Sequence, residues 1–144
     1  MSFVQIWIHA VWGTKNREPM LQREIRENVR RHIKENAKSK GFYIDCVDGY
    51  AEHLHCLMTL NADLSVAKQM QLIKGESSFW INKNKFLKGH FEWADEYFAV
   101  SVSEDKLNNV RNYINNQEEH HKNITFLDEY NSFLKHFHFK GSQG

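Results

Sequence analysis

Over residues 3–12 apolar and polar positions alternate, with Val4, Ile6, Ile8, Ala10 and Trp12 on one side, the period-two pattern of a strand. A polar turn, Gly13-Thr14-Lys15-Asn16-Arg17, follows and is closed by Pro19. The period then changes. Between residues 20 and 40, Leu21, Ile25, Val29, Ile33 and Ala37 recur every four positions, which predicts an amphipathic helix stopped at Gly41. Residues 42–47 and 53–60 return to strand composition, and the short 48–52 connection makes them an antiparallel hairpin. Ser65 is a cap for a second helix with Val66, Met70, Ile73, Ser77 and Trp80 on one side. A basic connection over 83–90 leads to a fourth strand at 97–102. Ser103-Glu104-Asp105 starts a third helix that runs to about Lys122, and a fourth spans Thr125 to about His136. Residues 140–144 read as a loose tail.

The order β-α-β-β-α-β plus C-terminal helices predicts an α+β fold, a ferredoxin-like (RRM-like) four-stranded antiparallel sheet. Two helices cover one face and leave the other free for a site or a partner. At 144 residues the chain is sized for a single domain, 1–144, with an ordered core of about 3–138. No apolar run is long enough to span a membrane, and residues 1–14 read as a strand rather than a signal peptide. Cys46 and Cys56 are too few for a disulfide framework and read as reduced core thiols. A cytoplasmic protein is expected.

Net charge is +1, but residues 1–40 carry +5 and the remainder −4. Lys15, Arg17, Arg23, Arg26, Arg30, Arg31 and Lys34 therefore offer either a phosphate-binding surface or a solvated helix face. Histidine is abundant, with nine copies, so paired histidines arise by chance. His53-Leu54-His55 differs from His136-Phe137-His138 in context. On a strand, residues two apart point the same way and can grip one ion, whereas at a helix end the rings splay apart. On the predicted third helix Tyr113 and Gln117 are one turn apart and share a stripe with His120, beside a stripe of Leu107, Val110, Ile114 and His121. No Ser-His-Asp order, glycine-rich phosphate loop or EF-hand loop is present.

Five ordered segments resemble the single-tyrosine HUH transposase family, of the insertion-sequence two-hundred/six-oh-five type. They are His9-Ala10-Val11-Trp12-Gly13-Thr14-Lys15 with Arg17 and Pro19, and Gly49-Tyr50-Ala51-Glu52-His53-Leu54-His55-Cys56-Leu57. Leu72-Ile73-Lys74-Gly75-Glu76-Ser77-Ser78, Tyr97-Phe98-Ala99-Val100-Ser101-Val102-Ser103 and Tyr113-Ile114-Asn115-Asn116-Gln117 complete the set. The resemblance implies His53, His55 and Gln117 as ligands of Mg²⁺ or Mn²⁺ and Tyr113 as nucleophile. It implies a transposase that cuts single-stranded DNA at hairpin-forming element ends and rejoins it through a 5′-phosphotyrosine. It further implies a homodimer in which the tyrosine helix can complete the partner's site, and adds Lys74 as a DNA contact. Trp7, Trp12, Tyr50 and Trp93 are candidates for base stacking or for core packing. Three rival readings remain open: a ferredoxin-like nucleic-acid-binding domain without cleavage, a small metallo-hydrolase on the same histidines, and a domesticated nuclease acting on host repeats.

Overall fold

A computed structural model describes residues 2–139; the 140–144 tail lies outside the described residues. Strand β1 (Trp7–Gly13) is central, because both of its faces are apolar enough to be covered. It pairs antiparallel with β3 (His53–Thr59) on one side and with β4 (Phe98–Val102) on the other. The hairpin partner β2 (Ile44–Tyr50) lies outside β3, so the sheet order is β2-β3-β1-β4. Helices α1 (Arg23–Ser39) and α2 (Val66–Lys83) follow β1 and β3, which gives β-α-β-β-α-β. Three helices come after β4: α3 (Leu107–Asn115), the short α4 (Gln117–His120) and α5 (Phe126–His136). No helix among the described residues is long and apolar enough to cross a membrane.

Alternation along the strands sorts the side chains into two layers. Ile8, Ala10 and Trp12 of β1 and Leu54, Cys56 and Met58 of β3 face one way. They pack with Val29, Ile33 and Ala37 of α1 and Met70, Ile73 and Ile81 of α2. Each large side chain buried there contributes about 2–3 kcal/mol from its apolar area. Both cysteines are free and buried, as expected of core thiols.

The second face departs from expectation, since it is roofed rather than free. Val11 and Phe98 pack under Phe126 and Tyr130 of α5, and Leu57 and Cys46 pack under Ile114 of α3. The expected third helix is also two. Asn116 leaves helical geometry at φ −112°, ψ 24°, which separates α3 from α4. The adjacent Asn115 and Asn116 are weak helix formers whose amides compete for the backbone. At the N-terminus β1 begins at Trp7, because its partners end opposite it at Thr59 and Val102. Phe3 and Val4 are left exposed.

Gly49 fixes the hairpin that presents β3. A Cβ at this position would stand 2.0 Å from the His53 carbonyl oxygen and 2.8 Å from Leu54 Cα, both of them backbone. Gly49→Ala is therefore expected to cost about 3 kcal/mol, the upper end of overpacking penalties. The check is the urea midpoint, and an unchanged midpoint would show that the hairpin relaxes freely.

Candidate active site

The roofed face of the sheet carries a compact polar cluster. Register along β3 sends His53 and His55 to this face, and His9 of β1 joins them from the neighbouring strand. His53 and His55 are fully buried, as is Gln117 at the start of α4. From α3 Tyr113 leans over the strand, its ring centroid 5.5 Å from that of His55 of the same chain. Gln117 Nε2 donates to the Tyr113 carbonyl at 3.2 Å, holding the two together across the break at Asn116. The four residues expected to form the site, His53, His55, Tyr113 and Gln117, are thus gathered within one chain.

The centre of the cluster is a residue that pattern reading passed over, Glu129 of α5. His55 Nε2 donates to its Oε1 at 3.1 Å and His121 Nε2 at 3.2 Å, while His53 Nε2 lies 3.3 Å away. The other carboxylate oxygen accepts from the Tyr113 hydroxyl and lies 3.2 Å from His120 Nε2. A signal was present. Glu129 stands three residues after Phe126 and four before Phe133, on the apolar stripe of its helix, where a carboxylate is out of place unless it has partners.

Charge follows from these contacts. Burial alone would raise the Glu129 carboxyl, but hydrogen bonds from His121, His53 and His55 overcome it and hold the group well below the carboxylate range. Burial opposes charge on His53, yet Glu129 and Glu52 flank both ring nitrogens and raise its pKa. Burial lowers His55 to about 4 and His9, which also faces His55, to about 3. Burial first, then the neighbouring carboxylate of Glu129, keeps Tyr113 protonated far above neutrality.

A pH dependence follows for the metal-free protein. His9 and His55 take up protons more readily when unfolded, so below about pH 6.5 each lowers stability as pH falls toward 4. Glu129, depressed by folding, adds a further loss only below about pH 4.5, where the unfolded carboxyl takes up its proton. His53, raised by folding, acts oppositely: its contribution is full below about 6.5 and fades above. The urea midpoint in chelator should drop between pH 6.5 and 4.5; a flat profile would contradict this assignment of charge.

His53, His55 and Glu129 offer one donor atom each, all within 4.8 Å of one another, and Gln117 Oε1 lies 3.1 Å from His53 Nε2. Imidazole nitrogens with amide and carboxylate oxygens are a donor set that fits a divalent ion.

The basic residues are dispersed. Arg26 is a correction: it is buried, and its guanidinium is spent on the Leu21 carbonyl and Glu118, so it faces no ligand. Lys74 is half-buried, its ammonium donating to the carbonyls of Ala94 at 2.7 Å and Asp95 at 2.9 Å. Arg23 pairs with Glu118 and Lys15 with Glu92, both at the surface. Arg17 is exposed. Arg30 donates to the Val47 carbonyl, and with Arg31, Lys34 and Arg111 it lines a groove of about 340 Å³ beside β2. Of the aromatic candidates, Trp12 and Trp93 are core residues packed edge to face, and Tyr50 stacks on His121.

Sheet, helices and cluster define an α+β protein whose structural neighbours are transposases. Residues 2–117 match the family described as "Transposase IS200 like", and the chain belongs to that family. Membership implies a DNA-cleaving and strand-transferring activity. The ISDra2 transposase TnpA of Deinococcus radiodurans is 22% identical over 121 residues, covering 80% of this chain and 86% of that protein. A putative transposase from Deinococcus radiodurans superposes with a TM-score of 0.64 at 21% identity, over 81% of this chain and 93% of the other. A REP-associated tyrosine transposase bound to a REP hairpin superposes at 0.55 with 19% identity, over 79% and 66% of the two chains.

Proposed function

We propose that this chain, acting as one ferredoxin-like domain, cuts single-stranded DNA with Tyr113 as nucleophile and rejoins it through a 5′-phosphotyrosine. The observation that carries the reading is the placement of the Tyr113 hydroxyl against a buried cluster of His53, His55, Gln117 and Glu129. Strand order β2-β3-β1-β4 with all pairs antiparallel supports the ferredoxin-like description.

The chemistry balances without an external energy source. The tyrosine oxygen bonds to phosphorus, the P–O3′ bond breaks, and the leaving strand keeps a 3′-hydroxyl. Attack by a 3′-hydroxyl on the phosphotyrosine reverses the step and seals a strand. A buried phenol is a weak nucleophile until its proton is taken. Glu129 and His120 both lie within reach of that proton, with Tyr113 Oη and His120 Nε2 3.3 Å apart. His53, His55 and Gln117 are the residues assigned to Mg²⁺ or Mn²⁺, which when bound neutralises charge on the scissile phosphate. Glu129 bridges the tyrosine and the strand histidines, accepting from the Tyr113 hydroxyl and from His55 Nε2.

The substrate assigned is single-stranded DNA with hairpin-forming ends, a reading supported by the hairpin carried by the REP-associated relative. Arg23, Arg30, Arg31 and Lys34 are the α1 residues proposed to meet its phosphates, the last three lining the groove beside β2. A homodimer is part of the proposal. Completion of the site by the partner's tyrosine helix belongs to that proposal; within one chain the Tyr113 ring centroid stands 5.5 Å from that of His55. The test is incubation with Mn²⁺ and hairpin-bearing oligonucleotides, read on a denaturing gel. A slowly migrating protein–DNA band is expected; specific hairpin binding with no cleavage would instead favour a domain that only binds nucleic acid.

A further inference from the structure

We infer that His9 of β1 is a positioning residue for the site, exchanging donor and acceptor roles with His55 Nδ1 so that His55 can turn a lone pair at Nε2 toward a divalent ion. The inference rests on the metal-dependent reading above and adds to it a residue outside the proposed ligand set.

Register places the two rings together. His9 lies opposite Leu57 and Val11 opposite His55, so His9 and His55 are diagonal neighbours on the roofed face of the sheet, within reach of long side chains. Their rings stack with centroids 5.2 Å apart and planes 27° apart, and His9 Nε2 is 3.0 Å from His55 Nδ1. His9 is buried, and its ring meets those of Phe133 and Tyr113 edge to face at 5.7 and 6.4 Å. Among the described residues the His9 side chain has one hydrogen-bond partner, His55.

The contact joins two ring nitrogens and holds one hydrogen, since two N–H groups or two lone pairs facing each other would repel. As the cluster stands, His55 Nε2 donates to Glu129 Oε1 at 3.1 Å. A neutral imidazole with its hydrogen on Nε2 has a lone pair on Nδ1, so His9 Nε2 is the donor to His55. A ligand imidazole needs the opposite form, with the lone pair on Nε2 and the hydrogen on Nδ1. His9 Nε2 then accepts. The change balances. The hydrogen between the rings moves from His9 Nε2 to His55 Nδ1, His55 Nε2 releases one proton, His9 Nδ1 takes one up, and both rings stay uncharged.

Histidine suits this position because it serves both forms. A carboxylate can only accept, which matches the partner of His53, whose Nδ1 faces Glu52 Oε1 at 2.7 Å. At position 9 a carboxylate would oppose the form in which His55 donates to Glu129. An apolar ring there would strand a buried N–H in the ligand form.

The experiment is titration of the chelator-treated, DNA-free chain with MnCl₂, read by the electron paramagnetic resonance signal of free Mn²⁺. His9→Phe keeps a buried ring but cannot accept, and should weaken Mn²⁺ binding by about 10- to 100-fold. In His9→Gln the amide reaches the place of Nε2 and can donate or accept, so affinity should return to within about threefold of the parent. A second readout needs no substitution. In a long-range proton–nitrogen correlation spectrum of the parent chain, His9 and His55 should both carry hydrogen on Nε2 in chelator and on Nδ1 in saturating MgCl₂. A hydrogen that stays on His9 Nε2 in MgCl₂ would overturn the inference. So would parental Mn²⁺ affinity in folded His9→Phe, or equal losses in folded His9→Phe and His9→Gln. A parent chain that binds neither ion would overturn the metal-dependent reading itself, and this role for His9 with it.

Discussion

Tyr113→Phe should leave a folded protein that forms no covalent DNA adduct and cuts single-stranded DNA at least about 10⁴-fold more slowly, the scale of losing a covalent nucleophile. Only the hydroxyl is removed. The ring keeps its edge contacts with His55 and Phe133, and the fold loses one hydrogen bond to Glu129, on the order of 1 kcal/mol. Activity and stability therefore separate cleanly in this variant. A Tyr113→Phe protein that nicks at the parental rate would mean that water or another side chain attacks the phosphate.

The second large effect is expected at the strand histidines. His53→Ala and His55→Ala should each lower cleavage by at least about 100-fold, more than the loss typical of residues that only support a metal ligand. Affinity for hairpin DNA should change by about threefold or less, since phosphate contacts from surface cations dominate it and both rings are buried. His55→Gln, which keeps most of the volume, guards against a cavity as the cause. Equal loss of cleavage and binding in a folded variant would place these residues on the DNA instead.

Much of the architecture was legible in the chain because its periods are clean. The alternation of Leu54, Cys56 and Met58 against His53, His55 and Leu57 separated the two faces of β3 correctly. The four-residue repeat through Val29, Ile33 and Ala37 likewise marked the buried face of α1. Ser65 caps its helix as expected, accepting from Lys68 N, and Thr125, expected as the start of the fourth helix, is its cap, accepting from Asp128 N. What stayed hidden was long-range. The roof over the second face depends on Phe126 and Tyr130 meeting Val11 and Phe98 across nearly the whole chain, and no local period records such a meeting.

The cluster divides in the same way. His53 with His55, and Tyr113 with Gln117, are pairs of neighbours in sequence; spacing singled them out, and the family resemblance supplied their roles. Glu129 and His121 matter only because α4 and α5 fold back onto β3, and no spacing to the strand histidines records that. Arg26 shows the converse error. Its charge suggested a surface role, but its place on α1 next to Leu21 and Glu118 makes it an internal tie. The surplus of positive charge in residues 1–40 is real, yet part of it is consumed in holding the chain together.

The central claim is that Tyr113 becomes bonded to DNA. Its most direct test is to trap the adduct with an oligonucleotide carrying the hairpin, digest both polymers and locate the modified peptide by mass spectrometry. The account predicts a nucleotide 5′-phosphate on Tyr113 and a free 3′-hydroxyl on the released strand. A phosphate on any other residue, or cut DNA with a free 5′-phosphate and no adduct, would contradict it.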